Sequence, residues 1–179
     1  MLNATGSVAP ELTLDTLAAR SYDELAALYR DAATPRSLHA VDGKPKGRML
    51  AVRGVDKTPL APLVRSFAAS PSFVWDGKTF NAHSDEEGEG INRIRIAGAL
   101  GRQNLFPFHT HFGASSVDGK ATLVLDYDLP ANPPWIRKVH DEIREVAPGL
   151  FLGPAMWKGS DGPAMVLWFA LDTRVPSNA

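Results

Sequence analysis

FPFHTHFGASSVDGKATLVLDYD, residues 106–128, is the stretch on which the fold turns. Two runs of alternating apolar and polar residues flank Asp118-Gly119. Asp-Gly is a favoured pair at the centre of a type I′ hairpin turn, where both residues need positive φ. A two-residue loop sets Val117 opposite Lys120, Gly113 opposite Val124, His111 opposite Asp126 and His109 opposite Asp128. Side chains alternate across a strand, so these histidines and aspartates share one face. The other face carries Phe106, Phe108, Thr110, Phe112, Leu123, Leu125 and Tyr127. Alternation separates the two faces without saying which of them lines an interior, and every site assignment depends on that choice.

Around this hairpin the composition is that of an ordinary soluble domain. The 179 residues are 44% hydrophobic and 22% charged, enough for one core. A formal net charge of −1 leaves no global field for nucleic acid or anionic membrane, so neither is expected as a partner. With no cysteine there are no disulfides, thiolate ligands or cysteine nucleophiles, and a reducing cytoplasm is allowed. MLNATGSVAPELTLD lacks the basic and apolar regions of a signal peptide. No apolar run approaches the roughly 20 residues of a membrane helix, so membrane insertion is not expected and a cytoplasmic protein is.

Residues 1–20 read as a flexible leader, 21–172 as one domain and 173–179 as a frayed tail. A helix is expected from about Tyr22 to Asp31, with Ser21 and Glu24 as a capping box and Leu25, Leu28 and Tyr29 as its stripe. Strands are expected at 47–54, 73–82, 91–98, 150–159 and 163–172, with a short helix at 59–69. INRIRIAG puts Arg93 and Arg95 on one face and Ile94 and Ile96 on the other. A late helix is expected over about 133–146: Ile136, Val139, Ile143 and Val146 form a stripe, and Arg137–Asp141 and Lys138–Glu142 form solvent-side pairs. The final strand is apolar on both faces and needs a cover on its outside. The result is an α+β class: an antiparallel barrel of about seven to eight strands with two to three helices, one of them inserted late.

Several short elements occur in a familiar order. GRM (47–49), Trp75-Asp76-Gly77-Lys78-Thr79-Phe80, Arg93-x-Arg95, Thr122-Leu-Val-Leu-Asp126, WIRKV (135–139) and GLFLG (149–153) span roughly residues 20–172. Together they resemble a divergent GXWXG-type domain with its C-terminal partner, a lipocalin-like bacterial family of unknown function. Met49 stands where the signature has Trp, and Leu125 where the family tends to have Tyr. The resemblance implies a calycin-like barrel and a small apolar or amphipathic ligand, and no reaction.

Two site readings follow from the two faces. In the first, the barrel binds a small hydrophobic or amphipathic molecule, anionic if Arg93 and Arg95 clamp it bidentately. Its contacts would come from Arg93, Arg95, His109, His111 and Asp126, with Phe108, Phe112, Tyr127, Trp75 and Trp168 on the apolar part. In the second, a cofactor-free enzyme of isomerase, cyclase, dehydratase or hydrolase type uses His111 as acid or base. Asp126 would orient it and Arg95 would stabilise an oxyanion. The bland counterpart is a solvated His111–Asp126 surface pair of about 0–1 kcal/mol. A third reading is an interaction module that forms a homodimer through its outer sheet. His109-x-His111 supplies two ligands, and two ligands are not a metal site, so no metal and no cofactor are expected.

Overall fold

Eight antiparallel strands close into one barrel, each bonded to its neighbour in the chain and β1 bonded to β8. The computed structural model describes residues 11–52, 73–96 and 101–176. The strands are β1 (Pro45–Val52), β2 (Phe73–Ala82), β3 (Glu87–Ile96), β4 (Gly101–Ala114), β5 (Ala121–Asp126), β6 (Val139–Ala147), β7 (Leu150–Gly159) and β8 (Gly162–Pro176). Helices α1 (Leu14–Ala18) and α2 (Tyr22–Asp31) precede them. Closure leaves no unpaired edge, which is the main liability of an antiparallel sheet. The expected helix at 59–69 lies outside the described residues.

The aromatic face of the central hairpin is the inner one. Phe108, Leu123, Leu125 and Tyr127 join Phe80, Ile143, Phe151, Phe169 and Leu171 in a buried cluster inside the barrel. The hairpin register differs from the expected one by two residues, with His109 opposite Asp126 and His111 opposite Val124. Asp118-Gly119 is not a two-residue turn. Ser115 N–H donates to the Lys120 carbonyl at 2.8 Å, and Gly119, at φ +75°, donates to the Ser115 carbonyl at 2.8 Å. Arg144 holds the Asp118 carboxylate with both terminal nitrogens, at 2.8 and 2.7 Å, and pulls it to a pKa of about 2. A shift of two keeps every side chain on its face, so the separation of faces survives the change of register.

The late helix is a strand. Residues 139–147 form β6, preceded only by a 3₁₀ turn at Ile136–Lys138. Val139, Asp141 and Ile143 are inward-facing under a period of two, so two residues of the apolar stripe fit both periods, while Val146 falls on the outer face and packs in the cluster beneath the helices. Of the two pairs read as solvent-facing, Arg137 and Lys138 are exposed but Asp141 and Glu142 are buried, 3% and 0% exposed, as is Arg144 beside them. Barrel closure decides the matter, since β6 supplies pairing partners to both β5 and β7.

The helices lie early in the chain and cover the outside of β7 and β8. Leu17, Leu25 and Tyr29 pack with Leu150, Leu152, Trp168 and Ala170 in a second cluster. This supplies the cover that the outer face of the last strand was expected to need. Ser21 and Glu24 cap α2 reciprocally, as their spacing predicts, which stabilises its first turn. The expected leader therefore includes α1, with Leu17 fully buried, and the expected tail includes the end of β8.

Three register shifts gather at one end of the barrel. Asp76 is the extra residue between the pairs Trp75–Ile94 and Gly77–Arg93. Phe106 is extra between Ile91–Pro107 and Asn92–Leu105, and Val166 between Ala155–Leu167 and Met156–Met165. Phe106 takes φ +61°, a conformation uncommon outside glycine. Bulges of this kind re-aim side chains and occur often beside functional sites. Gly47 serves the same end: a Cβ there would meet the Trp75 ring at 2.7 Å and the Gly77 backbone more closely still.

Candidate functional site

The bulged end of the barrel holds a partly open cavity of about 130 Å³. Its wall is mainly apolar, with Met49, Ile94, Phe106, Val139, Met156 and Leu167 among its lining. A void of about 150 Å³ lined by apolar side chains accepts a benzene-sized molecule, so this space is of useful size. One side of the wall is polar and is built from Trp75, Lys78, Asn92, Tyr127 and Asp141.

These polar groups form one connected network. Lys78 Nζ donates to Asp141 Oδ2 at 2.9 Å, to Asn92 Oδ1 at 2.9 Å and to the Tyr127 hydroxyl at 2.5 Å. Tyr127 donates its proton to Asp141 Oδ2 at 3.0 Å. Asn92 Nδ2 donates to the Tyr127 oxygen at 3.2 Å and to the Phe106 carbonyl at 3.1 Å, and Trp75 Nε1 donates to Asn92 Oδ1 at 3.1 Å. The Phe106 bulge thus presents a carbonyl that fixes the Asn92 amide. Lys78 Nζ also sits 5.2–5.4 Å from the ring centres of Trp75, Phe108, Tyr127 and Phe169, within the range of cation–π attraction.

Burial sets the electrostatics. It pulls the Lys78 ammonium below the ordinary lysine range, while Asp141 beside it opposes that pull. Burial and Asp141 push the Tyr127 phenol well above its usual value, so it stays a proton donor. One atom in the network is unmatched: Asp141 Oδ1 is buried and has no hydrogen-bond partner. A buried acceptor without a partner costs roughly 1–3 kcal/mol, more when charged.

The residues singled out from sequence are distributed differently. Trp75 and Tyr127 line the cavity. Phe108 lies in the interior beneath Lys78, and Phe112 packs at the edge of the same cluster. Trp168 is on the outside of the barrel, 5.9 Å from the Tyr22 ring and 5.4 Å from the Tyr29 ring. His109, His111 and Arg95 are exposed on the outer face. Asp126 is half-buried on that face and pairs with Lys158 at 2.8 Å. Burial alone would raise its pKa, but the Lys158 ammonium and the Asp128 N–H hold it below the usual carboxylate range. Arg93 is buried but turned away from the cavity: it donates to the backbone carbonyls of Lys78, Pro45 and Asp76 and so ties β3 to the start of β1. The structure therefore does not bring the His/Asp/Arg set together around the cavity. Among the described residues no three His, Asp or Glu side chains are arranged to hold a metal.

Lys78, Asn92 and Asp141 were not singled out from sequence. Asn92 has the same strand parity as Ile94, and Lys78 the same parity as Phe80, so each is a polar residue on an apolar face. That signal was available. Asp141 gave none, because its neighbours suited a helix. A second buried network lies just outside the barrel. Glu142 Oε2 accepts from the Tyr29 hydroxyl at 2.8 Å and from Ser115 Oγ, and Oε1 accepts from Ser116 N–H at 2.7 Å and lies 3.1 Å from His140 Nε2.

No family model and no curated protein matches the chain. No helix among the described residues is long and apolar enough to cross a membrane. A crystal structure of a protein from Thermomonospora curvata is similar, with a TM-score of 0.50 and 16% identity, over 86% of this chain and 87% of that one. At that identity the likeness carries the antiparallel barrel fold and nothing finer.

Proposed function

We propose that this chain binds a small hydrophobic or amphipathic molecule inside its barrel. The observation that carries the reading is the cavity of about 130 Å³, apolar over most of its wall and polar at one side. Binding sites commonly combine such a wall with a few convergent polar groups. The ligand contacts on this reading are Trp75, Lys78, Asn92, Phe106, Tyr127 and Asp141. An arginine clamp for an anionic end finds no support, because Arg95 faces solvent and Arg93 is committed to backbone carbonyls.

The same proposal makes the chain a divergent relative of the GXWXG-type lipocalin-like family, acting in a bacterial cytoplasm. In its favour, the Trp75–Phe80 element supplies Trp75, Lys78 and Phe80 to the interior, and Gly47 gives Trp75 its room. An acid–base enzyme without a cofactor is the second reading. Perturbed titratable groups facing a cleft, Lys78 and Tyr127, favour it.

Native mass spectrometry of the protein as purified from cells tests the binding reading. Wild type should carry a small molecule, His111→Ala and Arg95→Ala should retain it, and Ala155→Phe, which fills the cavity, should lose it. An empty wild type, or a ligand kept by Ala155→Phe, would count against the cavity as its site.

A further inference from the structure

We infer that the group this cavity takes is wholly apolar, a hydrocarbon portion of about one aromatic ring that makes no hydrogen bond to the protein, with any polar end of the molecule left outside. The inference rests on the reading of the cavity as a binding site and adds the chemical class of what it holds.

The polar wall is closed on itself. The Lys78 ammonium has its three acceptors in Asp141 Oδ2, Asn92 Oδ1 and the Tyr127 oxygen. The Tyr127 hydroxyl donates to Asp141 Oδ2 and accepts from Lys78 and Asn92. Asn92 Oδ1 accepts from Lys78 and Trp75, and Asn92 Nδ2 donates to Tyr127 and to the Phe106 carbonyl. Every donor in this set is therefore used within the protein, and the Asn92 and Tyr127 oxygens each already accept two bonds. The one bare acceptor, Asp141 Oδ1, is itself shut in, with no surface for a ligand to reach. In keeping with this closure, the surface bordering the cavity is apolar almost throughout. A hydroxyl, amine or carboxylate drawn into the space would give up its bonds to water and find no replacement, which is costly. A hydrocarbon has no such bonds to lose and gains contact with Met49, Ile94, Phe106, Met156 and Leu167. The volume of about 130 Å³ limits the seated portion to about one ring. Because the cavity is partly open, a longer molecule can keep its polar end in water.

The test is an NMR titration of the full-length protein, labelled at its methionine methyl groups, with toluene, phenol and benzonitrile. These share a ring and differ in carrying a methyl group, a donor hydroxyl and an acceptor-only nitrile. Of the four methionines, Met49 and Met156 line the cavity, whereas Met165 packs in the outer cluster beneath the helices and serves as the control. Toluene is expected to shift Met49 and Met156 but not Met165, and to bind about tenfold or more tighter than phenol or benzonitrile. A polar analogue that binds within tenfold of toluene would show a hydrogen-bonding atom open to the cavity. That result would overturn the apolar inference and leave the cavity reading standing. No shift of Met49 or Met156 with any of the three, or equal shifts at Met165, would overturn both. Ala155→Phe, which fills the cavity, supplies the second check and should abolish the toluene shifts. Shifts retained in that variant would place the binding elsewhere and overturn both readings. Should the variant fail to fold, the wild-type series alone decides.

Discussion

Asp141 and Glu142 are neighbours on β6, and alternation sends them to opposite sides of the barrel wall. Both are buried carboxyl groups, 3% and 0% exposed. Glu142, outside, is saturated: each of its oxygens has two polar neighbours, drawn from Tyr29, Ser115, Ser116 and His140. Asp141, inside, has one oxygen doubly bonded and the other bare. The outer network closes on itself because its task is to fasten α2 and the hairpin loop to the sheet. The inner one leaves that acceptor bare, and its residues line the cavity. A place on the cavity wall, rather than burial of charge as such, is what separates the candidate site from a brace in this protein.

The contrast can be broken most forcefully at Lys78. Removing one partner of a buried ion pair leaves an uncompensated charge, so Lys78→Met should lower stability by about 3–5 kcal/mol in urea unfolding. Lys78→Met combined with Asp141→Leu should regain much of that loss, since apolar replacement of a whole pair is often nearly neutral. A single variant as stable as wild type would remove the inner network from the energetics.

The outer network is sharpened by acid. Burial alone would raise the pKa of Glu142, but hydrogen bonds from His140, Ser115, the Ser116 N–H and Tyr29 hold it at about 2, against an ordinary 4.5. A folded-state pKa below the unfolded one means that the native state holds fewer protons. The contribution is full above about pH 4.5 and is lost as the pH falls toward 2. It should amount to on the order of 3 kcal/mol. Glu142→Gln should be less stable than wild type at pH 7, and the gap should narrow by pH 3; a gap independent of pH would refute the assignment.

A smaller loss is expected for Tyr29→Phe, which deletes a hydroxyl bonded to Glu142 and Thr122 and near Ser115. It should cost about 1–2 kcal/mol in urea unfolding and leave any molecule that co-purifies in the cavity in place. The least effect belongs to His111→Ala and Arg95→Ala. Both side chains are exposed on the outer face, so stability should move by no more than about 0.5 kcal/mol. A large effect of either on ligand binding would return the site to the outer face.

Much of this was legible from the residues alone. Alternation in 106–128 and 91–96 separated the polar and apolar faces, and those faces are the ones observed. The capping box at Ser21 and Glu24 located α2, because its signal lies within one turn of chain. The antiparallel barrel followed from short strands and turn residues. The register of the hairpin did not, because Arg144, 26 residues away in sequence, holds Asp118 in a wider loop. Strand β6 was read as a helix because its apolar spacing suits either period until neighbours on both sides claim its backbone.

What the sequence by itself determined, then, is local: the side of a strand on which a residue falls, and where one helix begins. Only the tertiary structure decided which side is inside, because that follows from closure of β1 onto β8. It also decided the site. Lys78, Asn92, Tyr127 and Asp141 come from β2, β3, the residue just past β5 and β6, and no spacing along the chain encodes their meeting. Closure brings them together, and the bulges at Asp76, Phe106 and Val166 leave the space beside them.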